Sequence, residues 1–350
     1  MSVLRYQYFA PTGLEPDKAV TNSSRLVIHA AEKRDIAWKI HPGTQVVTLT
    51  YNGTSRSYYH QVPSSTTSIA KYITNQKKVT SNILQQAGLR VARSFRVTQK
   101  HDKHYLRAVF EKLQKPLVVK PNNGTWGSHI TVGITTYEEY LAAIKLAATY
   151  SNNKQSYAVV EEMFEGDEYR ILLTQDKVIG VLKRVPAHVV GDGTQTIQQL
   201  IKQKNSEPIR NAQDFRKSHL KIRITDKVHQ NLRRQNVTLE TIPKKNAIIQ
   251  LRNVSNVSQG GDAIDVTDSV HPSVIKLALK AIRAIPGLSF AGIDFMTKAI
   301  DKPQTDESYI IIEINDSPGF DIHDYPYQGK NRHAAEAFLQ LLFPELPVQD

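Results

Sequence analysis

The run Tyr309-Ile310-Ile311-Ile312-Glu313-Ile314-Asn315, continuing as Asp316-Ser317-Pro318-Gly319-Phe320, constrains this chain more than any other stretch. Tyr309 to Ile312 are apolar or aromatic and three of them are β-branched, a pattern that predicts a fully buried strand. Glu313 and Asn315 alternate with Ile314, so both side chains leave on one face, two residues apart. A charge in a core strand is costly unless something compensates it. A carboxylate beside an amide oxygen suits a hard cation such as Mg²⁺, which takes oxygen ligands and shares them with substrate phosphates. A strand end whose polar residues reach solvent would read the same way in isolation.

With 350 residues the chain can form two or three domains or subdomains. It has no cysteine, which excludes disulfides, thiolate zinc sites and cysteine nucleophiles. No apolar run approaches the ~20 residues that span a bilayer, and the start lacks a signal-peptide core, so a cytoplasmic location is expected. The 45 Lys and Arg exceed the 33 Asp and Glu, for a net charge of +12. That excess favours polyanions, either nucleic acid or phosphate-bearing small molecules.

Residues 1–68 read as a small α/β domain. It has a helix over 23–33 and a hairpin turning at Asn52-Gly53, and it ends in a Ser/Thr linker. A helical pattern then runs from Ile69 and stops at Gly88. A strand over 89–97, a helix over 101–113 and a buried strand at Leu117-Val118-Val119 follow. That strand delivers Lys120-Pro121-Asn122-Asn123-Gly124-Thr125-Trp126-Gly127-Ser128. A helix over 136–150, a strand over 157–162, and a hairpin over 169–185 come next. Residues 202–245 are strongly basic, and 258–262 read as a loop. A helix over 271–285, a strand over 290–296 and a closing helix over 331–343 complete the pattern.

Lys120 at the base of a glycine loop suits a phosphate, because the glycines let backbone N–H groups point inward. It is neither a Walker loop nor a Rossmann fingerprint, and a plain surface hairpin reads similarly. Glu161-Glu162-Met163-Phe164 links two strands and can offer backbone groups to an adenine edge, with Glu168 accepting from ribose hydroxyls. The alternative is an acidic turn. Asp294 lies in the apolar strand 290–296, and hairpin pairing would bring it to Glu313, completing an oxygen set with Asn315 for Mg²⁺. Arg252, Asn256, Gly260 and Gly261 follow another strand and can hold a phosphate or an oxyanion, as can Lys183 and Arg184. His129 and His323 have no Ser or carboxylate partner that would suggest a triad.

In chain order, these features resemble the ATP-grasp superfamily of carboxylate–amine ligases: Lys77 in a helix, Val119-Lys120-Pro121 with its glycine loop, the segment from Val160 to Arg170, Gly292-Ile293-Asp294 and Glu313-Ile314-Asn315. More narrowly, the stretch from Lys183 to Ile197, the stretch from Gly260 to Pro272 and Asn315-Asp316-Ser317-Pro318-Gly319 resemble cyanophycin synthetases and the ligase domain of bifunctional glutathione synthetases. The likeness runs in register over about residues 70–345. It implies an α/β (α+β) ATP-grasp fold, with two α+β subdomains clamping ATP after the small N-terminal domain. On this model residues 69–164 form the subdomain with the glycine loop and residues 165–350 the one with the metal site.

The resemblance implies that ATP phosphorylates a carboxylate and an amine then attacks the acyl phosphate. Lys77, Lys120, Asn123, Gly124, Gly127, Ser128, Glu161, Glu162, Met163, Phe164 and Glu168 would bind ATP. Asp294, Glu313 and Asn315 would bind Mg²⁺, with Mn²⁺ as a substitute. Arg252, Asn256 and Lys183 would act on the acyl phosphate. Arg170, Arg184, Gly260, Gly261, Ser317, Gly319, Asp321 and His323 would meet the amino-acid or short-peptide substrates. Asp321 stands where cyanophycin synthetases tend to carry a basic residue, which suits a substrate amino group. The second ATPase domain of those enzymes and the glutamate–cysteine ligase domain of the bifunctional ones have no match within these 350 residues, so a free-standing ligase half is expected. A glutathione-synthetase-like reaction is the nearest expectation, and a dipeptide or cyanophycin-type ligase the alternative. Related ligases suggest a homodimer or homotetramer. A nucleic-acid-binding protein is the distant reading, since the basic stretch lacks interleaved aromatics, and no membrane partner is expected.

Overall fold

The computed structural model describes residues 20–122, 129–150, 157–211 and 217–347. Contacts gather the chain into two compact units, each assembled from separate segments. The first comprises Met1–Ser64, Arg170–Asp268 and Ser317–Asp350, and the second Ser65–Tyr169 and Ser269–Asp316.

In the second unit, strands Ser94–Val97, Ala158–Glu162, Leu117–Pro121 and Thr131–Ile134 lie side by side in that order, with antiparallel pairing. Helices Lys103–Lys112 and Tyr137–Ala148 bury Leu106, Val109, Phe110, Tyr140 and Ile144 in a core shared with Leu117, Val119 and Val160. The second of these helices opens with a reciprocal capping box between Thr136 and Glu139. The single helical run expected after residue 69 is instead two helices, Ser68–Thr74 and Lys77–Gln86. Gln76 takes φ −119° and ψ 90°, outside the helical region, so Lys77 opens a helix rather than sitting inside one. The strand expected over 89–97 is shorter because Arg90 and Val91 pair elsewhere. The Arg90 carbonyl accepts from the Ile311 amide, and Val91 bridges to Ile311. Strands Phe290–Thr297 and Tyr309–Asn315 form an antiparallel hairpin.

In the first unit, strands Ala37–Ile40, Val46–Tyr51, Thr54–Tyr59 and Val62–Pro63 make an antiparallel meander. Its tight turn uses positive φ at Asn52 and Gly53, as the Asn-Gly pair predicts. Helices Asn22–Glu32 and Ala334–Leu342 pack against each other, and the Phe338 ring meets the Tyr58 ring edge-on at 5.4 Å. Strand Val178–Val185 lies between Asp167–Thr174 and Asp262–Asp265. A smaller core joins helices Ile197–Asn205 and Asp226–Arg234 to the paired strands His188–Val190 and Ile248–Gln250. Helix Asp226–Arg234 had no counterpart in the sequence pattern, because only Val228 and Leu232 mark its apolar face among many cations. Asp262, expected in a loop, opens a strand. Among the described residues no helix is long and apolar enough to cross a membrane.

Candidate active site

The hairpin of the second unit sets Asp294 directly opposite Glu313, and Gly292 opposite Asn315. Ile293 and Phe295 are fully buried on either side of Asp294, which itself is 6% exposed. A β-bulge falls between Asp294 and Phe295, and bulges commonly re-aim side chains beside functional sites. The Asn315 amide nitrogen is buried with no hydrogen-bond partner among the described residues. Among the described residues no three His, Cys, Asp or Glu gather into a metal-binding group. A cation here would take two carboxylates and the Asn315 amide oxygen, leaving positions for phosphate oxygens. That donor set fits Mg²⁺, which keeps few protein ligands.

Two lysines face acids in the same unit. Lys77 Nζ is 3.1 Å from Glu313 Oε2, and Lys120 Nζ is 2.7 Å from Glu161 Oε2. Lys120 is 3% exposed, since its strand is buried along most of its length and strand Ala158–Glu162 pairs beside it. Glu162 accepts from the Gln114 amide at 3.1 Å. Met163 is exposed at 42%, and its amide donates to the Pro116 carbonyl. Phe164 is half-buried, and Glu168 sits in strand Asp167–Thr174. Gly166 passes so close to the hairpin that a Cβ there would stand 2.8 Å from the Thr297 carbonyl oxygen. Only glycine lets the linker lie down at that point. Asn123, Gly124, Gly127 and Ser128 lie outside the described residues.

Two residues of this half escaped the sequence reading. Asn122 follows the Lys120 strand and accepts from the Lys78 amide through Oδ1, while its carbonyl accepts from the Lys77 amide. It caps the helix that carries Lys77, whose own N-cap residue Gln76 makes no side-chain capping bond and instead accepts from Asn122 Nδ2. Lys78 Nζ donates to the Ser94 carbonyl and hydroxyl at 3.1 and 2.9 Å. Burial lowers its pKa, with Glu161 pulling the other way. The only sequence signal was its adjacency to Lys77.

The remaining predicted residues lie in the first unit. Lys183 and Arg184 sit opposite Ile264 and Ala263 across the strand pair. Arg252 is half-buried, its Nε has no partner among the described residues, and burial lowers its pKa. Asn256 Oδ1 accepts from the Ser258 amide at 3.0 Å and starts the short turn of helix Val257–Gln259. Gly260 ends that turn at φ 93°, and a Cβ there would stand 2.7 Å from Ile222. Ser317 and Gly319 are exposed. Asp321 is tied to the N-terminal helix, its two oxygens accepting from Ser23 Oγ at 3.1 Å and Asn22 Nδ2 at 3.4 Å. Burial raises its pKa. His323 is fully buried, both ring nitrogens lack partners among the described residues, and burial beside Arg170 and Arg332 holds its pKa down to about 3. A Cβ on Gly180 would stand 2.9 Å from His323 Nδ1, so the imidazole lies flush against that strand.

No family model matches the chain. It is 34% identical over 332 residues to the cyanophycin synthetase of Synechocystis, covering 95% of this chain and 37% of that protein. It is 33% identical over 329 residues to a bifunctional glutathione biosynthesis protein of Clostridium perfringens, covering 92% of this chain and 41% of that one. The chain thus spans well under half the length of these relatives. Its fold matches the crystal structure of a bifunctional glutathione synthetase from Pasteurella multocida with a TM-score of 0.71 at 29% identity, over 93% of this chain and 44% of that one. On sequence and fold together, the chain belongs to the ATP-grasp ligases.

Proposed function

We propose that this protein uses ATP to join a substrate carboxylate to an amine, forming an amide or peptide bond through an acyl phosphate and releasing ADP and phosphate. The observation that carries this reading is the second unit's hairpin, with Asp294 opposite Glu313 and the Lys77 ammonium against Glu313. Phosphoryl transfer asks mainly for positioning and charge neutralisation, and acids with interleaved lysines supply both. Asp294, Glu313 and Asn315 would hold Mg²⁺, which when bound neutralises phosphate charge. Lys77 and Lys120 bind phosphate oxygens, Glu161 to Phe164 receive adenine and Glu168 the ribose. Arg252, Asn256 and Lys183 stabilise the charge that develops on the acyl side. Arg170, Arg184, Gly260, Gly261, Ser317, Gly319, Asp321 and His323 face the amino-acid or peptide substrates. The cytoplasm is the proposed compartment.

The nearest product is a short peptide made by a glutathione-synthetase-like step. The similarity to a cyanophycin synthetase favours, as a second reading, a dipeptide or poly-amino-acid ligase. The test is ADP release with ATP and Mg²⁺ across pools of amino acids and γ-glutamyl peptides, with mass spectrometry of the amide. Release that needs both a carboxylate and an amine is expected; no stimulation by any such pair would refute the assignment.

A further inference from the structure

The basic stretch 202–245 is not only a solvated face. Arg210 is 3% exposed and Asp262 1% exposed, and the two form an ion pair in the first unit. Arg210 Nη1 also donates to the carbonyls of Leu220 at 3.0 Å and Gly260 at 3.1 Å. Lys204 Nζ reaches the second oxygen of Asp262 at 2.7 Å and the His188 carbonyl at 3.1 Å. Glu207 is 3.4 Å from Arg210 Nε and accepts from the Tyr327 hydroxyl at 2.9 Å. The Tyr327 ring lies 5.3 Å from both cationic groups. The backbone next along the chain is gripped as well: His219 Nε2 accepts from the Ala263 amide at 3.2 Å, and the Tyr327 amide donates to the Ala263 carbonyl at 2.7 Å.

The bonds to Gly260, Asp262 and Ala263 converge on residues 260–263. Gly261 is pressed against backbone, where a Cβ would stand 2.7 Å from the Val185 carbonyl oxygen and 3.0 Å from that of Asn256. The segment that carries Asn256 and the glycine pair thus has no freedom to relax on its own. A buried arginine costs several kcal/mol to desolvate and is a poor way merely to gain stability. Its rigid five-donor fork is a good way to fix a carbonyl and a carboxylate at set positions.

We propose that Arg210, with Lys204 and Tyr327, is a positioning residue for the reaction. Through Asp262 and the Gly260 carbonyl it holds the 256–263 backbone in the shape that receives the acyl phosphate. This rests on the reading that Asn256 and the glycine pair face that group. If the loop loosens, water reaches the acyl phosphate and hydrolyses it to carboxylate and phosphate, so ATP is consumed without amide formation.

The test compares Arg210→Lys and Tyr327→Phe with wild type in the full chain. Each is scored for the ratio of ADP released to amide formed, KM for ATP, thermal midpoint and backbone hydrogen exchange. Arg210→Lys keeps the charge but loses the fork, and Tyr327→Phe removes only the hydroxyl that anchors Glu207. The expected result is folded protein with KM for ATP within about twofold, exchange at 256–263 faster by about tenfold, and a ratio above that of wild type. An unchanged ratio with unchanged activity per folded molecule would overturn the positioning role even if the midpoint drops. Wild type that releases no ADP with any substrate pair sinks the ligase reading itself, and this inference with it.

Discussion

Lys77 in the second unit and Arg210 in the first are both cations against carboxylates, yet they stand in opposite circumstances. Lys77 and Glu313 keep 13% and 26% of their side chains exposed, with Nζ 3.1 Å from Oε2. Arg210 and Asp262 keep 0% and 2%, and the arginine also donates to two backbone carbonyls. Solvent reaches the first pair more than the second, so its members exchange a partner for a phosphate or a metal at lower cost. The second pair cannot part without leaving a bare charge in the interior. The Lys77–Glu313 pair is therefore the more exchangeable of the two, while Arg210 and Asp262 hold a loop in shape.

The largest effect should come from the exchangeable side. Glu313→Gln is expected to lower turnover on the order of 10³-fold while thermal melting barely moves, as the metal-binding role proposed for it requires. Steady-state ADP release decides it, and turnover within about threefold of wild type would remove Glu313 from the site. Next in size is the stability contrast. Arg210→Ala should cost roughly 3–5 kcal/mol in urea unfolding, as breaking a buried pair does. Lys77→Ala should cost less than about 1 kcal/mol. Equal losses would mean that the two pairs are held alike.

The smallest effects concern pH, and two neighbours in the first unit have opposite signs. His323 is lowered from 6.5 to about 3 by burial, with Arg170 acting the same way. The folded protein thus binds its proton less readily than the unfolded chain does. Its contribution is full above the ordinary value of 6.5 and is lost as pH falls toward 3. Asp324 is raised from 3.8 to about 7 by burial, although the amides of Ala334 and Ala335 donate to it. Its contribution is full below 3.8 and is lost as pH rises through 7. In melting curves taken between these limits, His323→Gln should flatten the acid limb and Asp324→Asn the neutral limb. Unaltered limbs would show that neither group titrates differently on folding.

Much of the second unit was legible because its signals are local. Period-two alternation placed Asp294 and Glu313 on strands, and a polar connection between two apolar runs implied the hairpin that makes them face each other. The Lys120 strand stood out for the same reason. What the chain alone did not reveal was the break at Gln76, because the apolar spacing continues across it while Asn122, just after a distant strand, caps the helix that follows. Residues 202–245 were the least readable. Their many cations look alike in sequence, and no local rule separates Arg210 from Arg233 or Arg234, which lie on the exposed face of their helix.

The sequence by itself determined the superfamily, the order of the motifs and the residue types that can hold a nucleotide and a metal. Those depend on which side chains occur and how they alternate along a strand. Tertiary structure alone decided which lysine meets which acid, that Asp321 is anchored by Asn22 and Ser23, and that Asp262 belongs to Arg210 and Lys204. Each of those pairings joins residues far apart in the chain. It becomes favourable only once packing has removed the water that would otherwise satisfy both partners.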